Sequence, residues 1–164
     1  MSNLKALMNH IPQTGKVEWI GIRPEKRSAV KEVDMVEVGT VLGLVGDHYS
    51  GKSGKRHITL IQAEHLEVIA KILGKESIDP SLLRRNIVVS GVNLLAFKEK
   101  QFQIGNVILE TTGQCHPCSR MEENLGSGGY NAMRGHGGIT ARVINGGRIQ
   151  QGDLVRLFIE NSND

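Results

Sequence analysis

ITARVINGGRIQQGDLVRLFI, residues 139–159, decides the fold. Three short runs rich in Val, Ile and Leu are separated by Asn145-Gly146-Gly147 and by Gln151-Gly152-Asp153, and none is long enough for a helix of ordinary length. An Asn-Gly pair between two β-branched runs predicts a hairpin there. Working toward the N-terminus, the same texture recurs. Residues 107–111 (VILET), 87–92 (IVVSGV), 57–62 (HITLIQ), 40–47 (TVLGLVGD), 28–38 (SAVKEVDMVEV) and 16–22 (KVEWIGI) all read as strands, the last two parted by a turn at Arg23-Pro24. Only residues 63–73 change period, with Leu66, Ile69, Ala70 and Leu73 on one helix face and Gly74 placed to end it. Asp79-Pro80 offers a capping oxygen and then a residue preset for a first helical turn. About seven short strands with one or two helices predict a mainly β chain closed as a barrel with Greek-key or hairpin connections.

The chain has 164 residues, enough for one domain with its own core. We expect a short extension over 1–14, one domain over 15–159 and a polar tail over 160–164. Lys and Arg exceed Asp and Glu by 20 to 17, and aromatics make up 4%. The cations are scattered, whereas a nucleic-acid surface gathers them into a stripe with aromatics between. No nucleic-acid partner is therefore expected. The N-terminal residues lack the apolar run of a secretion signal, and eighteen apolar residues never follow one another, so neither export nor membrane insertion is expected. A cytoplasmic location follows as an expectation. In that reducing compartment two cysteines three apart suit catalysis, metal binding or redox chemistry better than a structural disulfide.

Gly46-Asp47-His48-Tyr49-Ser50-Gly51-Lys52-Ser53 matches the phosphate-loop pattern G-x-x-x-x-G-K-[ST] letter for letter. A working phosphate loop opens a helix at its Lys-Ser pair. Here Gly54, Lys55 and Arg56 lead into the strand-like HITLIQ, so the match is read as a decoy.

Cys115-His116-Pro117-Cys118 ends a strand and precedes Ser119-Arg120-Met121-Glu122, a capping-box pattern that predicts a short helix. Cys118 then sits before a helix N-terminus with Arg120 close by, which makes its sulfur the expected nucleophile or ligand. The pair could serve thioredoxin-like thiol-disulfide exchange, a zinc site completed by histidines, or simply two buried thiols. Exchange lacks its βαβ setting, and no histidine lies at a recognisable zinc spacing.

Taken in order, GLVGD, RHITLIQAEHLEVIA, DPSLLRRNIVVSGVNL, FQIGNVILETTGQCHPCSRM and GGITARVINGGRIQQGDLVRL resemble a MOSC (molybdenum cofactor sulfurase C-terminal) domain over roughly residues 15 to 158. The most specific pieces are Arg84-x-Asn86, Cys115-x-x-Cys118 and the closing stretch from Gly146 to Asp153. The resemblance implies a β-barrel whose Cys118 supplies a thiolate to the metal of molybdenum cofactor (molybdopterin) or carries sulfur. It also implies that Arg84 and Asn86 hold the pterin's phosphate or polar edge. Arg56, His57, Arg134 and His136 are candidates to line the same pocket, with solvated loop positions as the plainer alternative. The family's G-D-x-H-x-G is here Gly46-Asp47-His48-Tyr49-Ser50-Gly51, with the histidine one place early, so its role does not carry over. No pyridoxal phosphate is expected, because the sulfurase's cofactor-binding lysine domain is absent.

The leading expectation is a molybdenum-cofactor enzyme that reduces N-hydroxylated substrates with electrons from a separate reductase, since no flavin, haem or iron-sulfur motif is present. The alternatives are a non-redox carrier of cofactor or persulfide sulfur for a sulfurase-type partner, a CxxC thiol-disulfide protein, and a barrel that binds a small ligand without chemistry.

Overall fold

A computed structural model describes residues 3–48 and 57–160. Its strands in chain order are β1 (Gly15–Ile22), β2 (Lys31–Glu32), β3 (Met35–Gly39), β4 (Gly43–Leu44), β5 (Ile58–Gln62), β6 (Ile87–Ser90), β7 (Gln101–Ile104), β8 (Val107–Gln114), β9 (Ile139–Asn145), β10 (Gly147–Gln150) and β11 (Leu154–Leu157). The helices are α1 (Asn3–Met8), α2 (Ala63–Leu73), α3 (Ser119–Leu125) and α4 (Gly129–Met133), with 3-10 turns at Pro80–Leu83 and Leu94–Phe97. Strands β1, β11, β7, β8, β9, β5 and β6 hydrogen-bond in that order, and β6 returns to β1, so seven strands close a barrel. Closure leaves these strands no free edge. Among the described strands only the β5–β6 pair is parallel, and α2 with the first 3-10 turn makes the crossover that a parallel pair requires.

Strands β5 and β6 are buried on both faces, and their alternation sorts side chains between two cores. Ile58, Leu60, Ile87 and Val89 point into the barrel with Phe97, Phe102 and Leu109. Ile61 and Val88 point out, under a layer formed by Ile69 of α2, Met121 and Leu125 of α3, and Met133 of α4. A β-bulge between Val17 and Trp19 lets β1 do likewise, with Ile20 inside and Trp19 under the helices. Phe97 and Phe102 stack at 4.9 Å, and truncating a fully buried side chain such as Leu60 to Ala should cost about 2–5 kcal/mol.

Helix α2 spans the residues its period predicts, and Gly74 ends it at φ +67°. Asp79 Oδ1 accepts from the Ser81 amide at 3.0 Å, as the Asp-Pro signal predicts. Three expectations need correction. Residues 28–38 are not one strand, because the chain turns at Val33-Asp34 to leave β2 on β1 and β3 on β10. The run 40–47 yields only the two-residue β4. Asn145-Gly146-Gly147 is a corner and no hairpin: β9 pairs with β5 and β8, whereas β10 crosses to β3, which pairs in turn with β4 in a separate three-stranded sheet. A Cβ on Gly146 would run into the Val38 carbonyl at 2.5 Å, so a close backbone crossing explains the glycine better than turn geometry does.

A two-residue hairpin lies instead between β7 and β8, where Gly105 at φ +57° takes the first central position that a II′ turn reserves for glycine. Helix α4, within the Gly-dense stretch 126–138, and the exposed α1 were not anticipated.

Candidate functional site

Strand β8 runs past the barrel rim into Cys115, whose amide donates to the Gly138 carbonyl at 2.9 Å. Arg85 fixes the same segment from the other side. Its Nη2 donates to the Cys115 carbonyl (3.2 Å), its Nε to Gly137 (2.8 Å) and its Nη1 to Leu83 (3.0 Å). Gly137 has no room for a Cβ, which would strike the Cys115 carbonyl oxygen. Cys115 is thus held in the wall, whereas Cys118 is exposed.

Cys118 is the N-cap residue of α3, in extended conformation and with no side-chain capping bond. The expected capping box at Ser119 and Glu122 does not form. Glu122 reaches forward instead, accepting from the Gly128 amide (2.9 Å) and the Tyr130 amide (3.0 Å), and these bonds, Tyr130 first, lower its pKa. Its carboxylate therefore joins α3 to α4.

The floor of the site is a polar network that hydrophobic patterning does not reveal. Arg23 and Asp47 form a buried bidentate pair, Nη2 to Oδ2 at 2.8 Å and Nε to Oδ1 at 3.0 Å, and the Arg23 amide donates to Oδ1 at 2.7 Å. Asn86 is fully buried. Its Oδ1 accepts from Arg23 Nη2 and from the amide and hydroxyl of Thr59, while its Nδ2 donates to the Gly21 carbonyl and Asp47. Each buried polar group so satisfied avoids a desolvation cost of about 1–3 kcal/mol. The network ties the Arg23 turn, Asp47 and the strand opening at Asn86 into one rigid base.

Above it lies a cleft of about 400 Å³. Arg23, Lys26, Arg27, Arg84, Arg85 and Arg120 line it, with His48, His116, Cys118 and Ser119, and no carboxylate does so among the described residues. Such a wall favours a multiply charged anion, and the planar forks of arginine suit phosphate in particular. Among the described residues no three His, Cys, Asp or Glu side chains form a metal cage. A metal at Cys118 would have to bring most of its ligands with it.

Of the residues singled out by sequence, Cys118 and Arg84 meet in this cleft. Asn86 stands behind the floor, with its amide engaged in the network, so its part is to position Arg23. Arg85 and Asn86 are both buried. His57 is buried elsewhere, its Nδ1 accepting from the Val143 amide at 3.1 Å, and burial followed by the charge of Arg142 lowers its pKa. Arg134 lines a neighbouring groove with His116 and Tyr130. His136 packs edge-on against His65 at 5.2 Å. Arg56 and the Lys52-Ser53 end of the phosphate-loop match lie outside the described residues. Arg23, Lys26 and Arg27 were missed; their signal was the charge run RPEKR, legible only as a turn until the fold carried it to Cys118.

A closed seven-stranded barrel with a thiol at the rim of an arginine-walled cleft defines a small β-barrel protein with a strongly basic cleft. The chain belongs to the MOSC domain family, whose model matches residues 30–156. Its fold is similar to that of the YUAD protein from Bacillus subtilis, with a TM-score of 0.79 and 22% identity over 93% of this chain and 100% of that one. It also resembles YiiM from Geobacillus stearothermophilus (TM-score 0.71, 16% identity, 90% and 77% covered) and YiiM from Escherichia coli (0.66, 17%, 90% and 71%). No curated protein sequence matches the chain. No helix among the described residues is long and apolar enough to cross a membrane.

Proposed function

We propose that the cleft binds molybdenum cofactor, with the phosphate against Arg84 and its neighbouring cations and the sulfur of Cys118 toward the metal. The observation that carries this reading is the convergence of an exposed thiol and a lining whose charged residues are Arg and Lys on one cleft of about 400 Å³. A soft thiolate suits a thiophilic metal, and a single protein ligand suffices for a metal already chelated by its pterin. The family's association with this cofactor supports the same assignment.

When bound, the cofactor would supply two-electron chemistry by which an N-hydroxylated substrate, two protons and two electrons from a separate reductase give the N–H product and water. The chain's own residues bind and orient. Arg84 and Arg120 offer charge-assisted donors, the Arg23–Asp47–Asn86 network keeps Arg23 in place, and Arg85 with Gly137 fixes the segment that presents Cys118.

The test is molybdenum content of protein purified from a cofactor-competent host, followed by reduction of an N-hydroxylated purine or an amidoxime with an added reductase. Molybdenum with turnover supports the enzyme, molybdenum without turnover supports a carrier, and protein that takes up neither molybdenum nor sulfur contradicts the proposal.

A further inference from the structure

At one end of the barrel lies a separate cleft of about 340 Å³, and among the described residues none lines both it and the basic cleft. Its floor is made by Thr111 of β8 and Ile139 of β9, both buried, and its rim by the exposed Leu95, Lys98, Glu99 and Gln114. Barrel mouths are a common place for small-molecule sites.

Two features of this cleft are held against local stability. Val107, Leu109 and Thr111 alternate inward along β8, so the Thr111 side chain stands where the barrel core gives way to the cleft. Among the described residues its Oγ1 is the one buried side-chain oxygen or nitrogen with no hydrogen-bond partner. A valine there would fill the same space without that cost. Glu99, on the rim, has left-handed backbone at φ +60°, which a residue with a Cβ adopts only under strain. Such strain gathers at ligand sites. The other two non-glycine residues of this kind among the described ones, Arg27 and Arg84, both line the basic cleft. A register shift between Thr111 and Gly113 interrupts the β8–β9 ladder along the same wall, and irregularities of this sort are frequent beside functional sites.

The lining defines what fits. Leu95 and Ile139 are apolar, Thr111 and Gln114 are neutral hydrogen-bonding groups, and the charges of Lys98 and Glu99 on the rim are opposite in sign. Unlike the basic cleft, this one favours neither anion nor cation. The Thr111 hydroxyl can both donate and accept. We propose that the barrel-mouth cleft is a second binding site for a small uncharged molecule. The ligand sets an apolar body against Leu95 and Ile139 and hydrogen-bonds Thr111 through a hydroxyl, carbonyl or amide group. This site stands independently of the molybdenum reading of the basic cleft.

The test is titration of the isotope-labelled chain with benzyl alcohol, toluene and benzoate, followed through backbone amide shifts by NMR. Benzyl alcohol should shift the Leu95, Thr111 and Gln114 amides saturably, with a Kd on the order of 1 mM, and bind more tightly than toluene or benzoate. Thr111→Val should weaken benzyl alcohol about tenfold, as loss of one hydrogen bond predicts, and leave toluene unchanged. Thr111→Ser should keep the preference for benzyl alcohol over toluene. Without ligand, Thr111→Val should raise the thermal midpoint by about 2–4 °C, because an unsatisfied hydroxyl is removed, whereas a hydroxyl with a purely structural role would lower it. No saturable shift at these amides, equal benzyl alcohol affinity in wild type and Thr111→Val, or a lower midpoint in Thr111→Val overturns the proposal.

Discussion

Arg23 and Asp47 are joined by two side-chain hydrogen bonds, at 2.8 and 3.0 Å, with 6% and 1% of their side chains exposed. A pair so far from solvent is held by mutual need. Removing one partner leaves a buried charge, which costs about 3–5 kcal/mol, although a well-packed apolar pair could have served stability equally well. Asp47→Ala should therefore lose that much in urea denaturation. It should also free Arg23 from the floor of the cleft and weaken anion binding. A loss under about 1 kcal/mol would show that water reaches the pair.

His57 links stability to pH. Its Nδ1 accepts the Val143 amide, which only the neutral ring can do, and burial with the nearby Arg142 keeps its pKa below the ordinary 6.5. The unfolded chain then takes up a proton near pH 6.5 while the folded one does not. Stability is complete above that pH and falls as the pH drops from 6.5 through the lowered folded value. His65 is lowered too, by burial and then by His136, and adds to the same limb. His57→Gln should flatten the slope of stability between pH 6.5 and 5 without abolishing it. An unchanged slope would remove His57 from the account.

Gly137 couples the fold to the site through backbone. A methyl there would meet the Cys115 carbonyl that also receives Arg85 Nη2. Gly137→Ala should cost about 1–3 kcal/mol and displace the Cys115–Cys118 segment, so that ligand retention falls further than stability alone explains. Wild-type retention in this variant would mean that the segment adapts freely.

The barrel was legible because β5, β6, β8 and β9 are apolar runs bounded by turn residues, a signal that tertiary context reinforces. The Asn145-Gly146 signal misled for a physical reason. Glycine there answers to the Val38 carbonyl, a crossing between strands over a hundred residues apart that no local pattern encodes. The Ile104-Gly105-Asn106-Val107 hairpin carried a usable turn signal that the short, polar β7 obscured. At the site, Cys118 and Arg84 stood out through motif and resemblance. Arg23, Arg85 and Asp47 did not, because a charged residue near a turn reads as solvated until a partner distant in sequence buries it.

The central claim is that the two cysteines differ, with Cys118 presented to the cleft and Cys115 built into its wall. Alkylation of the folded protein should modify Cys118 alone, with Cys115 reacting only after unfolding. The most direct measurement is molybdenum content per chain for wild type, Cys118→Ser and Cys115→Ser, purified in parallel from a cofactor-competent host. The account predicts that Cys118→Ser stays folded and loses the metal, while Cys115→Ser keeps most of it. Full molybdenum content in a folded Cys118→Ser would contradict it, and equal loss in both variants with a reversible disulfide would point to dithiol exchange instead.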